Sequence, residues 1–142
     1  MTCEEQYANA LTHAKKSIEL VPELHNLISV AQPGAGTAPS AAMLGAVLSK
    51  AEASKAEIDA AFTAISGALL CFAMAVNIPG VQKAQAALVL IAQAKQKLDD
   101  VYSSLHEAIA ASVFVLIPVA QAAIVAAQAA LDAMVVAVGQ LP

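Results

Sequence analysis

Arginine and tryptophan are missing from this chain, and charge of either sign is scarce. All seven basic residues are lysines, none follows Lys97, and charged residues make up only 13% of the sequence. A nucleic-acid surface needs a basic stripe to displace counterions, with arginine for bidentate contacts, so that class of partner is excluded. Cysteine is limited to Cys3 and Cys71, too few for a disulfide-dense secreted scaffold. Strand signals are almost absent as well. Residues 113–117 form the one β-branched cluster, and it is too short and has no partner. Residues 1–5 lack the basic start and apolar run of a secretory leader, and neither end carries a lipidation motif, which leaves the compartment open.

What remains is a mildly acidic, apolar chain of 142 residues, 59% hydrophobic, with net charge −4 and mean hydropathy +0.69. That composition excludes disorder and collagen-like repeats. The length suits a single domain over 1–142 with a real core.

Helix signals dominate. Thr2 and Glu5 fit a capping box, which places a helix start at Cys3. Tyr7, Leu11, Ala14, Ile18 and Val21 then recur at three to four residues. Pro22 lacks an N–H, so this first arm should break near Val21 and restart as a short helix over 23–30. Residues 32–40, QPGAGTAPS, are the clear loop, with Ser40 as the next N-cap.

From 41 to 76 the stripe Leu44, Leu48, Ala51, Ile58, Phe62, Ile65, Leu69, Phe72 and Val76 predicts a long helix, ended by Asn77-Ile78-Pro79-Gly80. A further helix should begin near Val81, with apolar positions spaced alternately three and four apart as in packed, nearly aligned helices. At Pro118 two readings stand, a tight turn over 116–118 or a kink in one long helix. The turn is preferred, since a helix of nearly 60 residues would leave its stripe uncovered. The fold expected is all-α, an up-down-up-down four-helix bundle. No internal period between 20 and 50 residues is evident.

Two runs, 60–82 and 108–131, carry no charge. Each would be long enough to cross a bilayer if helical throughout, at roughly 20 residues per span. After Pro118 the polar face is only Gln121, Gln128 and Asp132, bordered by Val125 and Val136. An ordinary bundle helix buries about three positions in seven and keeps the rest polar. The surplus apolar surface suggests a lipid or fatty-acyl ligand, with Phe62, Ile65, Leu69, Phe72, Met74, Phe114, Ile117, Ile124 and Met134 as candidate lining. A second reading is a self-assembling structural subunit, whose interface would resemble a core cut in half. Membrane insertion ranks third, because Gln121, Gln128 and Pro118 interrupt one run and no Trp/Tyr belt flanks either. Alanine, about a quarter of the chain, brings helices close and argues against a wide cavity.

Catalytic signatures are lacking. The histidines His13, His25 and His106 form no Glu-x-x-His pair, so a di-metal bundle is not expected. Asp99, Tyr102 and His106 share a helical face, as do Glu52, Lys55 and Asp59, and both sets read more simply as solvated surface. The Gly34-Ala35-Gly36 spacing follows no strand and suggests no phosphate cradle. Neither enzyme activity nor a cofactor is expected. If the first arm runs up and the 41–76 helix runs down, Cys3 and Cys71 both lie roughly 40–46 Å below the loop at 1.5 Å per residue. They should be neighbours, as two thiols in preference to a bridge; a Cα separation well above about 7 Å would exclude a bond.

Overall fold

The computed structural model describes residues 1–34 and 36–142; Ala35, inside the loop and the Gly-Ala-Gly spacing read from sequence, lies outside the described residues. The described residues form five helices and no strand: α1 (Cys3–Ser17), α2 (Val21–Ala31), α3 (Ala41–Met74), α4 (Ile78–Val113) and α5 (Ile117–Gly139). The first two make one broken arm, so the architecture is an all-α bundle of four rods. α3 packs on α1 and α4, α4 packs on α5, and α2 closes the ring against α3 and α5.

Local signals place most boundaries. The Thr2 hydroxyl accepts from the Glu5 amide at 3.1 Å, and Ser40 does the same for Met43 at 3.2 Å. The first arm breaks before its proline, with α1 ending at Ser17 and Pro22 falling in the first turn of α2. There the missing N–H costs nothing, because first-turn amides have no helical acceptor. The break frees the carbonyl of Ser17, and the buried hydroxyl of Ser54 on α3 donates to it.

Asn77-Ile78-Pro79-Gly80, expected to end one helix ahead of another starting near Val81, does follow the end of the first and also opens the second. α3 stops at Met74, and the Asn77 side chain caps α4 by accepting from the Gly80 amide at 3.0 Å. Gly80 is needed because the ring of Phe72 occupies the space its side chain would take: a Cβ there would lie 2.3 Å from a ring carbon. At Pro118 the chain makes a turn, over 114–116, and not a kink.

The two long hairpins share one turn. Val76 (φ 53) and Val115 (φ 57) are left-handed. The Asn77 amide reaches back to the Phe72 carbonyl and that of Leu116 to Ala111, at 2.9 and 2.8 Å. The valine amides bond to Ala73 and Ser112, both at 3.1 Å. This is the Schellman helix ending, which usually places glycine where these valines stand. In each, Ile-Pro follows after one intervening residue, so Val76-Asn77-Ile78-Pro79 and Val115-Leu116-Ile117-Pro118 are one device used twice.

The core is a continuous column of leucine, isoleucine and many alanines, among them Ala14, Ala51, Ala61, Ala94 and Ala127 at 0% exposure. Cys3 and Cys71 are bonded, with Cα atoms 5.5 Å apart. The expected adjacency is therefore present, and the expected pair of thiols is a disulfide. Helix counting fixes heights along the rods, and here both residues face the same α1–α3 seam, which counting alone does not determine.

Candidate functional site

The chain alternates direction, so the 75–77 turn and the disulfide lie at one end of the bundle. The 32–40 connection and the 114–116 turn lie at the other. Each uncharged run crosses a hairpin turn: 60–82 joins the end of α3 to the start of α4, and 108–131 joins the end of α4 to α5. Neither is a continuous rod. Two helices, α3 and α5, are nonetheless long and apolar enough to cross a membrane by length and composition, with 28% and 44% of their most apolar windows buried in the bundle.

The nine candidate lining residues do not converge on one cavity. Ile65, Phe72, Ile124 and Met134 are buried in the packed column, and Phe62, Leu69 and Ile117 are partly buried. Met74 and Phe114 are 77% and 74% exposed, at opposite ends of the molecule. Alanine is the physical cause. Small side chains let the rods approach until their own apolar rows fill the axis. Hence the large residues either join that packing or are left at the tips.

The surplus is on the outside. Val125 and Val136, about three turns apart on one stripe of α5, are 65% and 60% exposed, with Val119 also exposed. Asp132 is the one ionisable group of α5. Beside this stripe a groove of ≈ 370 Å³ runs between α2 and α5, lined by Ser29, Gln32, Gly34, Gln121, Ile124, Val125 and Gln128. Its volume lies in the ~300–1,000 Å³ range of small-molecule sites. Ile124 and Val125 give it an apolar wall; three glutamine amides and a hydroxyl give it a polar rim.

Two contacts hold the groove's walls together. Gln128 Nε2 donates to Ser29 Oγ at 3.5 Å, and His25 Nε2 meets Asp132 Oδ1 at 2.8 Å. Gln32 pins the loop by donating from Nε2 to the carbonyls of Gly34 and Thr37, at 2.7 and 3.0 Å. Its Oε1 is buried and has no partner among the described residues. Sequence reading found Ile124 here and passed over Ser29, Gln32, Gln121 and Gln128 as lining. The available signal was that Gln121 and Gln128 are the only uncharged polar side chains of α5 between Ile117 and Leu131.

Elsewhere the chemistry is sparse. No group of three His, Cys, Asp or Glu side chains among the described residues could hold a metal. Asp99, Tyr102 and His106 are not joined to one another by hydrogen bonds among the described residues, and Lys55 lies 5.8 Å over the Tyr102 ring instead. Burial raises the pKa of that phenol, with Glu52, Asp59 and Asp99 adding to the rise. Tyr7, capped by Lys83 at 4.4 Å, is raised by burial alone. His13 pairs with Glu57 across the α1–α3 seam. Compared with known protein families, with curated proteins and with solved structures, the chain matches none.

Proposed function

We propose that this protein is a non-catalytic binder of hydrophobic molecules of the lipid or fatty-acyl type. The ligand lies in the external groove between α2 and α5, not in the axis of the bundle. One observation carries this reading: the solvent side of α5 is valine and alanine with a single acid, beside a groove whose wall is apolar and whose rim is amide and hydroxyl. No lysine lines that groove. A neutral head such as an alcohol or ester suits it better than an ionised carboxylate, which would need a cation to offset its desolvation.

A self-assembling subunit is the second reading, favoured by the Val125–Val136 stripe, since exposed apolar rows are where subunits meet. Membrane spanning by α3 and α5 is the third, and it would require the buried sides of both helices to leave the core.

The test is native mass spectrometry of gently extracted protein, followed by titration with a pyrene-labelled fatty alcohol. Bound acyl species and saturable uptake support the proposal, whereas an empty monomer that takes up no probe refutes it. Val125→Asp discriminates further. Val125 is well exposed, so folding should change by no more than about 0.5 kcal/mol, while probe uptake should be lost. An unchanged uptake with Val125→Asp removes the groove from the account. Light scattering across a dilution series reports the second reading directly, as an oligomer that persists at every concentration.

A further inference from the structure

The groove opens beside an end of the molecule that carries no ionisable side chain. Residues 26–49 and 108–131 contain no Asp, Glu, Lys, His, Cys or Tyr, and their described residues make up that end. Six residues of α2, nine of α3 and six of α4 fall in these segments. At 1.5 Å per residue, the last ~9 Å or more of every rod is therefore free of charge. Beside the uncharged 32–40 loop, the α4–α5 turn at this end is apolar and projecting. Val113, Phe114, Val115 and Leu116 are consecutive, and all are exposed between 51% and 74%. The opposite end also exposes Leu70, Met74, Val76 and Ile78, and differs in carrying Glu4 and Glu5 in the first turn of α1.

We infer that the charge-free end docks end-on to the surface of a neutral lipid layer, from which the groove takes its ligand; the inference thus rests on the lipid-binding reading. Three features select this occupant. First, the tip is a convex turn of four large apolar side chains, a shape that a soft hydrocarbon boundary accommodates and a small ligand does not. Second, the depth free of charge matches the ~5–10 Å by which amphipathic elements enter the boundary between headgroups and acyl chains. Third, ionisable groups return at the edge of the zone as Glu23, His25, Lys50, Glu107 and Asp132, with Lys50 paired to Glu23 and His25 to Asp132. Three acids against one lysine and one histidine make no basic patch of the kind that an anionic surface attracts, so the fit is to zwitterionic or uncharged lipid. The bundle stays folded throughout, since the docking residues are already outside.

The test is co-sedimentation of the full chain with phosphatidylcholine vesicles, and separately with mixed phosphatidylcholine–phosphatidylserine vesicles. Binding to the neutral vesicles should be insensitive to salt and should weaken on the anionic ones. Phe114→Asp should lower the partition coefficient by about tenfold or more, since burial of such a ring contributes at least that factor. Met74→Asp, at the opposite end, should leave it unchanged. Circular dichroism checks folding, and Phe114→Ser serves if the charged variant does not fold.

Absence of binding to neutral vesicles, preference for anionic ones, or equal loss with Met74→Asp each overturns the inference. So does end-to-end self-association without vesicles that Phe114→Asp abolishes, which would make a second copy the occupant. Uptake of the pyrene-labelled alcohol from buffer separates the two proposals. Docking without uptake discards the groove, and uptake without docking discards the tip.

Discussion

Val76 and Val115 are the non-glycine residues with left-handed backbone among the described residues. Left-handed conformations cost a side-chain-bearing residue roughly 1–2 kcal/mol, and β-branching aggravates this. Both valines are well exposed, so neither recovers the cost through burial. Val115→Gly and Val76→Gly are each expected to stabilise the fold by about 1 kcal/mol in urea unfolding, where glycine would normally be the choice. That these residues stay apolar at both tips fits a selection for surface rather than for stability. Their role was not legible in the sequence, because valine announces a strand or a core and never a left-handed turn.

Tyr7 offers a second measurement at this scale. Its hydroxyl is buried with no partner among the described residues, and its folded pKa is raised above the ordinary value of about 10. A raised pKa means that the folded state holds the proton more tightly than the unfolded chain. The contribution is thus complete below about pH 10 and is lost as pH rises further. Denaturant midpoints should fall above that pH, and Tyr7→Phe should flatten the fall. At neutral pH Tyr7→Phe should cost nothing, since it removes only an unsatisfied hydroxyl.

Among the elements, the starts of α1 and α3 were plain in the sequence because capping side chains are local chemistry. The start of α4 was misplaced by three residues. Asn-Ile-Pro-Gly has the composition of a terminator, and only the seat of Phe72 over Gly80 shows why the glycine lies inside the helix. Ser54 was equally obscure. It continues the apolar rhythm of Ala51 and Ile58 as a polar residue, and its purpose depends on the break in another rod.

The Cys3–Cys71 bond ties α1 to the far end of α3 across a sequence separation of 68. For a loop of that length the chain-entropy estimate is about 4 kcal/mol. Cys3→Ser should lower unfolding stability by about 2–4 kcal/mol, within the measured range for such bridges. Reduction of the natural protein should do the same. A variant as stable as the parent would show that α1 is held by its apolar seam alone.

For the whole molecule, the bundle was legible because periodicity and short connections decide it. The site was not, because it depends on which side of each rod faces out, and on two distant segments, 26–49 and 108–131, meeting at one end. The uncharged runs were visible as runs. Read as rods they suggested spans, and folded each passes through one of the two hairpin turns.

α2 is the lightest member of this assembly. It spans eleven residues and meets α5 through few neighbours, the imidazole of His25 and the hydroxyl of Ser29 among them. The covalent tie sits at the opposite end of the bundle, beyond its reach. Amide hydrogen exchange should therefore open α2 well before α4, whose backbone is flanked by α3 and α5 along its length. A leaf that swings while the other rods stand would let a chain longer than the resting groove thread in from the side, so the slowest step of loading would be set by the breathing of this one short segment.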